Sequence, residues 1–247
     1  MPRDYVSPVL RIRDHELRWG ARTYVMGIVN VTPDSFSGDG LGLDIAAAVA
    51  RARSMAADGA DWLDIGGESS RPGAEELDPG EEARRVVPAI EAIRAQTSLP
   101  ISVDTYHASV ARAALKAGAD AVNDIWGLRK DPEMASVVAQ SGAALIAMHN
   151  QRGRPPGNVT RLVREGLKTS LMLAEQHGIA PGKVILDPGF GFGWTPQANL
   201  AMLATLEELT TLGHPLLVGT SRKSTIGEIL GGVSPEERLM GTAATVA

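Results

Sequence analysis

The 247-residue chain carries 24 basic and 29 acidic side chains, a formal net charge of −5, and 44% hydrophobic residues. This composition is typical of a folded globular protein and excludes a disordered or fibrous chain. The acidic balance argues against nucleic acid or anionic membranes as partners. There is no cysteine, which excludes disulfides, thiolate nucleophiles and cysteine-held metals. Without an apolar leader or a run of about eighteen apolar residues, we expect a cytoplasmic protein.

The first predicted element is a short β-hairpin, with strands at 9–13 and 16–19, positioned to plug the bottom of a barrel. After it, short apolar runs alternate with alanine-rich stretches of helical period, which is typical of βαβ units around a parallel sheet. The predicted strands are 24–29, 62–65, 101–103, 121–122, 144–148, 184–186 and 216–218. The predicted helices are 45–58, 81–96, 108–117, 132–141, 160–177, 196–212 and 235–247.

Glycines mark the ends of most predicted helices, because glycine readily takes the left-handed conformation that ends a helix. They are Gly59, Gly118, Gly142, Gly178 and Gly213. No linker divides the chain, so we predict one domain over residues 1–247. The fold class is α/β, of the (β/α)8 barrel type, although only seven βα units are evident. Either a C-terminal unit is lacking from this chain or the sheet is open.

Nearly every predicted strand ends in polar residues or glycines. In a parallel α/β fold these ends meet on one face, where ligands bind. The residues are Asn30, the segment 66–71, Asp104, Thr105, Asn123, Asp124, His149, Asn150, the segment 187–189 and the segment 220–224. We therefore predict a ligand site on that face.

Each of these residues also has a local structural interpretation. Asp104 or Thr105 could cap the next helix, and Asn123 or Asp124 could do the same. The segment 187–189, Asp-Pro-Gly, is a good turn former. His149 is more easily explained as structural than catalytic, and Lys223 with Arg222 could be a solvated pair. The recurrence of polar residues at successive strand ends favours the functional interpretation.

Common catalytic motifs are missing from the sequence. The segment 219–224 ends in Lys-Ser but has Arg222 where a Walker loop needs glycine. The glycines of 189–193 lack the spacing of a dinucleotide fingerprint. No Gly-x-Ser-x-Gly elbow occurs, and the five histidines are too dispersed for a helical zinc motif. Serine and zinc hydrolases are thereby disfavoured.

Six motifs, in order, resemble the dihydropteroate synthase family from about residue 20 to the end of the chain. They are 27–36 (GIVNVTPDSF), 64–74 (DIGGESSRPGA), 101–105 (ISVDT), 123–125 (NDI), 187–193 (DPGFGFG) and 221–224 (SRKS). The resemblance implies a (β/α)8 barrel that condenses 6-hydroxymethyl-7,8-dihydropterin diphosphate with 4-aminobenzoate to 7,8-dihydropteroate in folate biosynthesis. It also implies a sulfonamide target and a homodimer.

The resemblance also implies roles for individual residues. The residues implied to bind the pterin are Asp104, Asn123, Ile125, Asp187, Gly219 and Lys223. Those implied to bind 4-aminobenzoate are Ser70, Arg71, Pro72, Phe192 and Ser224. Asn30 matches the residue associated with Mg²⁺, the expected cofactor. Asp104, Lys223 and Arg71 are implied to be catalytic, with Asp104 stabilising a pterin methylene cation formed after diphosphate leaves.

Several positions depart from the family pattern. Trp194 stands where lysine is common, Ala198 where histidine is frequent, and 150–152 reads Asn-Gln-Arg instead of Met-Gln-Gly. Ser70 replaces the usual threonine. An Arg-x-His pair that binds diphosphate in the family has no counterpart in this sequence. Two alternatives follow: a truncated or non-catalytic pterin-binding paralogue, and a pterin-dependent methyltransferase domain.

Overall fold

The computed structural model describes residues 6–32, 44–69 and 76–247. After an antiparallel hairpin, β1 (Val9–Ile12) and β2 (His15–Arg18), six strands form a parallel sheet in chain order. They are β3 (Met26–Asn30), β4 (Trp62–Gly66), β5 (Ile101–Asp104), β6 (Ala121–Asp124), β7 (Ala144–Met148) and β8 (Val184–Asp187). This is the α/β order of a barrel wall.

Helices connect the strands and pack outside the sheet. They are α1 (Ile45–Ala57), α2 (Pro79–Arg94), α3 (Ala108–Ala117), α4 (Met134–Ser141), α5 (Val159–Gln176), α6 (Pro196–Ala204), α7 (Leu206–Leu209), α8 (Ser224–Ile229) and α9 (Leu239–Val246). The five predicted capping glycines all have positive φ, between 66° and 114°. None of the described helices combines the length and hydropathy that a bilayer crossing needs.

The central strands are hydrophobic because both faces are covered. Every residue of β4, β7 and β8 is buried. By contrast, β3 lies at one edge of the described sheet, and its Ile28 is 43% exposed. Continuous apolar runs of this kind are expected for parallel strands packed between two layers.

The N-terminal hairpin covers the amino ends of the strands, as predicted. Leu10, Ile12 and Leu17 are buried against a separate apolar cluster that includes Trp62 and Ile146. Arg13, at the hairpin turn, donates to Asp120 at 2.6 Å, next to the start of β6. The hairpin thereby closes the bottom of the sheet, and ligand access is left to the opposite end.

Three details of the predicted elements are wrong. The segment 216–218 forms only a single parallel bridge, between Leu186 and Leu216, because no described strand pairs with its other side. The predicted helix 196–212 is broken at Thr205 into α6, α7 and a 3-10 turn. Helix α8 was not predicted, because a six-residue helix shows too little periodicity to recognise.

Candidate active site

The carboxyl ends of β3 to β6 form one row of polar residues. The strand register pairs Asn30 with Gly66, Gly66 with Asp104, and Asp104 with Asn123. A Cβ at Gly66 would lie 3.5 Å from the Asn30 amide oxygen and 3.6 Å from the Asp104 Cβ. The missing side chain of Gly66 therefore lets Asn30 and Asp104 approach each other across β4.

Below this row, Asp64 fixes the orientation of Asn123. Asp64 is buried and accepts hydrogen bonds from the Asn123 amide nitrogen at 3.0 Å and from the Ser102 hydroxyl. Trp62 donates to the same Ser102 oxygen at 2.9 Å. Because the amide nitrogen of Asn123 is held by Asp64, its amide oxygen is left to accept from a ligand. Burial raises the pKa of Asp64, and Ser102 and Asn123 oppose that shift.

Asp104 has a strongly perturbed acid group. Burial raises its pKa well above the ordinary value, and the nearby carboxylate of Asp64 adds to the shift. Glu82, Asp124 and Glu68 act in the same direction. A carboxylate crowded by other acids gains most when positive charge develops beside it. Asp104 therefore fits a role in stabilising a cation.

Asp187 and Lys223 influence each other's pKa electrostatically at the mouth. Burial raises the pKa of Asp187 to about 6, although Lys223 and the Gly189 amide lower it. Burial lowers the pKa of Lys223 to about 8, while Asp187 opposes the shift. The ammonium group donates to the carbonyl oxygen of Phe190. Perturbed titratable groups that share a cleft are a feature of functional sites.

The glycine-rich loop after β8 fits closely against the loop after β7. Gly189 and Gly193 both have positive φ, near 80°. A Cβ on Gly189 would lie 1.9 Å from the carbonyl oxygen of His149, and one on Gly193 would lie 2.6 Å from the Arg152 amide nitrogen. The Gln151 amide donates to the Phe192 carbonyl at 3.1 Å. Only glycine fits these two positions.

Aromatic and apolar side chains line the same mouth. Ile125 and Phe192 are buried in a small cluster with Tyr106 and Met148. The Lys223 ammonium lies 4.6 Å from the centroid of the Phe192 ring. A flat heterocyclic ligand needs such apolar walls beside a few polar groups.

The structure describes only some of the remaining residues that were predicted to belong to the site. Ser70, Arg71 and Pro72 lie outside the described residues. Ser224 is exposed at the first position of α8, directly after Lys223. A Cβ on Gly219 would lie 3.8 Å from the Lys223 ammonium, so Gly219 flanks the mouth.

The structure supports the local interpretation for some of these residues and not for others. His107 precedes α3 as its N-cap, so Asp104 and Thr105 do not cap the helix. Asp124 accepts from the amides of Trp126 and Leu128, and is therefore a turn residue.

Two further local interpretations concern the loops after β7 and β8. One oxygen of Asp187 accepts from the Gly189 amide at 2.7 Å, so the turn interpretation also holds there. His149 is buried against Gly166 and contacts Gln151 at 3.0 Å, in agreement with its structural interpretation.

Sequence reasoning missed several polar residues of this region. Asp64 and Ser102 lie within apolar strands. The one feature of the sequence that could have identified them is a charged or hydroxyl residue inside an otherwise apolar run. Glu82 and His107 lie on or next to helices and carry no motif. Trp194, one of the departures noted above, packs with its ring centroid 5.9 Å from that of His149.

The amide oxygen of Asn30 is a suitable ligand for Mg²⁺. This oxygen faces the same gap above Gly66 as the carboxylate of Asp104. Mg²⁺ prefers oxygen ligands and usually keeps water and phosphate oxygens in its shell, so one or two protein donors suffice. The residues at this position therefore fit the ion.

Comparison with known proteins identifies the family of this chain. The model for "Pterin binding enzyme" matches residues 26–247. The dihydropteroate synthase of Synechocystis sp. is 46% identical over 98% of this chain and 86% of its own length.

Solved structures agree with this assignment. Dihydropteroate synthase of Xanthomonas albilineans with 4-aminobenzoic acid has a TM-score of 0.90 at 45% identity, covering 97% of this chain and 88% of that chain. The enzyme of Yersinia pestis, solved with a sulfonamide drug, has a TM-score of 0.90 at 38% identity, covering 96% and 87%. The polar mouth described above thus lies on the barrel fold of these enzymes. The chain belongs to the pterin-binding enzyme family, among the dihydropteroate synthases.

Proposed function

We propose that the mouth of the barrel is where this dihydropteroate synthase condenses 6-hydroxymethyl-7,8-dihydropterin diphosphate with 4-aminobenzoate, releasing 7,8-dihydropteroate and diphosphate. The observation that carries the proposal is the convergence of Asp104, Asn123, Asp187 and Lys223 at the carboxyl ends of the strands. The resemblance of the six motifs to the family supports the same substrates.

The proposed pterin contacts follow from the donors and acceptors at the mouth. The amino-pyrimidinone edge of a pterin presents N–H donors, which the Asp187 carboxylate and the Asn123 amide oxygen can accept. Lys223 supplies a charged donor for a ring acceptor. Ile125 and Gly219 would form the adjacent walls. These contacts leave Asp104 beside the ring.

In the proposed reaction the diphosphate departs first, and positive charge develops on the exocyclic methylene of the pterin. Asp104 stabilises this charge electrostatically, because a fixed carboxylate in a partly dry site needs no reorganisation during the step. The aniline nitrogen of 4-aminobenzoate is unprotonated at neutral pH and attacks the methylene carbon. The attacking nitrogen then gives its proton to water or to the released diphosphate, which leaves the secondary amine of 7,8-dihydropteroate.

The proposed aminobenzoate pocket consists of Ser70, Arg71, Pro72, Phe192 and Ser224. The buried ring of Phe192 beside Lys223 supports it, since a benzoate ring packs well on an aromatic face. We assign Arg71 to charge stabilisation. Asn30 would hold Mg²⁺, which neutralises the charge of the diphosphate when bound.

The assembly and location of the protein are further parts of this proposal. We propose that residues 1–247 act as one cytoplasmic domain that pairs as a homodimer. The support for pairing is a set of exposed apolar side chains on the last helices, Ile229, Leu230, Leu239 and Met240. Light scattering tests it: a monomeric mass at working concentration contradicts the dimer.

The decisive experiment is an assay of the full chain with both substrates and Mg²⁺, followed by chromatography of 7,8-dihydropteroate. We expect product, and we expect a sulfonamide to compete with 4-aminobenzoate. Calorimetry with the pterin diphosphate alone accompanies the assay. Pterin binding without product would identify a non-catalytic paralogue instead, and methyl transfer would identify the methyltransferase alternative.

A further inference from the structure

Three potential metal ligands lie beside the mouth, on the side of α2 and α3. Glu68 follows β4, Glu82 lies in the first turn of α2, and His107 immediately precedes α3. One ligand atom from each residue lies within 4.8 Å of the other two. Three separate elements thus bring two carboxylates and an imidazole together.

The carboxylates in this cluster have unsatisfied oxygens. Glu82 is 0% exposed, and among the described residues its Oε1 has no hydrogen-bond partner. Glu68 Oε2 is also buried and has no partner in that part of the chain. A buried carboxylate oxygen that accepts nothing costs free energy relative to the same oxygen in water. These two buried oxygens are therefore available to accept from a cation.

We propose that Glu68, Glu82 and His107 bind a divalent transition-metal ion, Zn²⁺ or Mn²⁺. Mixed imidazole and carboxylate donors suit these ions. The His107 Nδ1 atom lies 2.7 Å from Glu82 Oε2, a hydrogen bond that the ion would replace, and 4.0 Å from Glu68 Oε2. These distances bracket the separation of about 3.3 Å between ligand atoms around a tetrahedral Zn²⁺. Small rotations of the two glutamates would complete the site.

Neighbouring groups hold the ligands in place. The Tyr106 hydroxyl donates to Glu68 Oε1 at 2.7 Å, which leaves Oε2 for the ion. The rings of Tyr106 and His107 lie 4.3 Å apart. The His107 amide donates to the Thr105 hydroxyl at 3.1 Å. Outer groups that orient metal ligands in this way are a regular part of protein metal sites.

This site differs from the magnesium position at Asn30. It contains a nitrogen ligand and draws on α2 and α3, whereas Asn30 offers oxygen alone at the end of β3. The competing occupant is a proton on His107, which would bridge the two carboxylates without any metal. A direct binding measurement distinguishes the two occupants, and it does not depend on the condensation reaction.

The test is calorimetric titration of the untagged, chelator-treated full chain with ZnCl2 and with MnCl2. Co²⁺ is added separately to record a ligand-field spectrum. We expect one ion per chain for Zn²⁺ or Mn²⁺, and His107→Gln and Glu68→Gln each to weaken affinity at least tenfold. These two residues are partly exposed, and both variants leave the buried Glu82 itself unchanged.

Two variants serve as matched controls. His177→Gln replaces an exposed imidazole that follows α5, and Glu91→Gln replaces an exposed carboxylate on α2. Both should retain wild-type affinity. The proposal is overturned if neither ion binds saturably, or if the His107 and His177 variants bind equally well. Circular dichroism of each variant confirms that the comparison is made between folded proteins.

Discussion

The two ends of the same strands are built on opposite principles. At the amino ends, the hairpin residues Leu10 and Leu17 bury apolar surface, and Asp120 at the rim is fully paired. Asp120 accepts from Arg13, from Arg94 at 2.5 Å and from the Ile101 amide at 3.0 Å. At the carboxyl ends, several acids are crowded together and their pKa values are raised.

This difference separates stability from activity. A satisfied ion-pair cluster holds elements together, whereas crowded acids store unfavourable electrostatic energy that a cationic intermediate would relieve. In barrels the carboxyl end generally carries function and the amino end stability. Changes at Asp104 and Asp120 should therefore have opposite consequences.

The largest expected effect is from Asp104→Asn at the mouth. Loss of the carboxylate should lower kcat about 10²- to 10³-fold, the size seen when one electrostatic stabiliser is removed. The melting temperature should stay the same or rise, because a crowded buried acid is gone. Steady-state kinetics and thermal unfolding measure both. Near-normal kcat would contradict the role assigned to Asp104.

The next effect is expected at the opposite end, from Asp120→Ala. The free energy of unfolding should fall by about 2–3 kcal/mol, since charged hydrogen bonds from two arginines are lost. The value of kcat should not change. Urea unfolding with parallel assays measures this, and Glu16→Ala, in an exposed ion pair with Arg11, is the control with little effect. A catalytic defect in Asp120→Ala would contradict the assignment of stability to the amino ends of the strands and activity to their carboxyl ends.

A smaller effect is expected beneath the mouth, from Asp64→Asn. An amide at position 64 can donate to Asn123 and allow that side chain to turn its nitrogen toward the ligand. We expect KM for the pterin diphosphate to rise about tenfold, or about 1.4 kcal/mol, with a smaller change in kcat. Ser102→Ala is the matched control, since it removes the other partner of Asp64 and leaves Asn123 oriented. An equal rise in KM for both variants would contradict the positioning role.

The mildest test of the mouth is a pH profile. Asp187 must be a carboxylate to accept from the pterin, so kcat/KM should rise with pH at least up to about 6, and the raised pKa of Asp104, which must also be ionised, extends this limb upward. Lys223 must be an ammonium to donate, so kcat/KM should fall above about 8. Each limb should change up to tenfold per pH unit. A profile flat from about pH 5 to 9 would show that these groups do not govern binding.

Much of the fold follows from local sequence signals. The apolar runs and the capping glycines predict the strand order and helix ends because those signals are short-range. The prediction of a strand at 216–218 was wrong for a nonlocal reason, since a strand needs neighbouring strands to pair with as well as an apolar run. At the break, the Thr205 hydroxyl contacts that of Thr160 at 2.8 Å and also donates to the Ala201 carbonyl at 2.9 Å, so a tertiary and a local contact coincide there.

The site was predictable where it follows strand ends and hidden where it lies inside elements. Asp104, Asn123 and Asp187 close apolar runs, so their position in sequence indicated their position in space. Glu82 and His107 are brought together by the packing of α2 against α3, which no spacing along the chain encodes. Long-range side-chain clusters of this kind require coordinates.

The interlocked glycines after β8 have a consequence for how this enzyme can change. Gly189 and Gly193 leave no volume for any mutation that adds a carbon atom. Variation in substrate preference is therefore confined to neighbouring positions such as Phe192, which lies at the mouth. An engineer seeking altered selectivity should randomise that aromatic position and keep the glycine spacing intact.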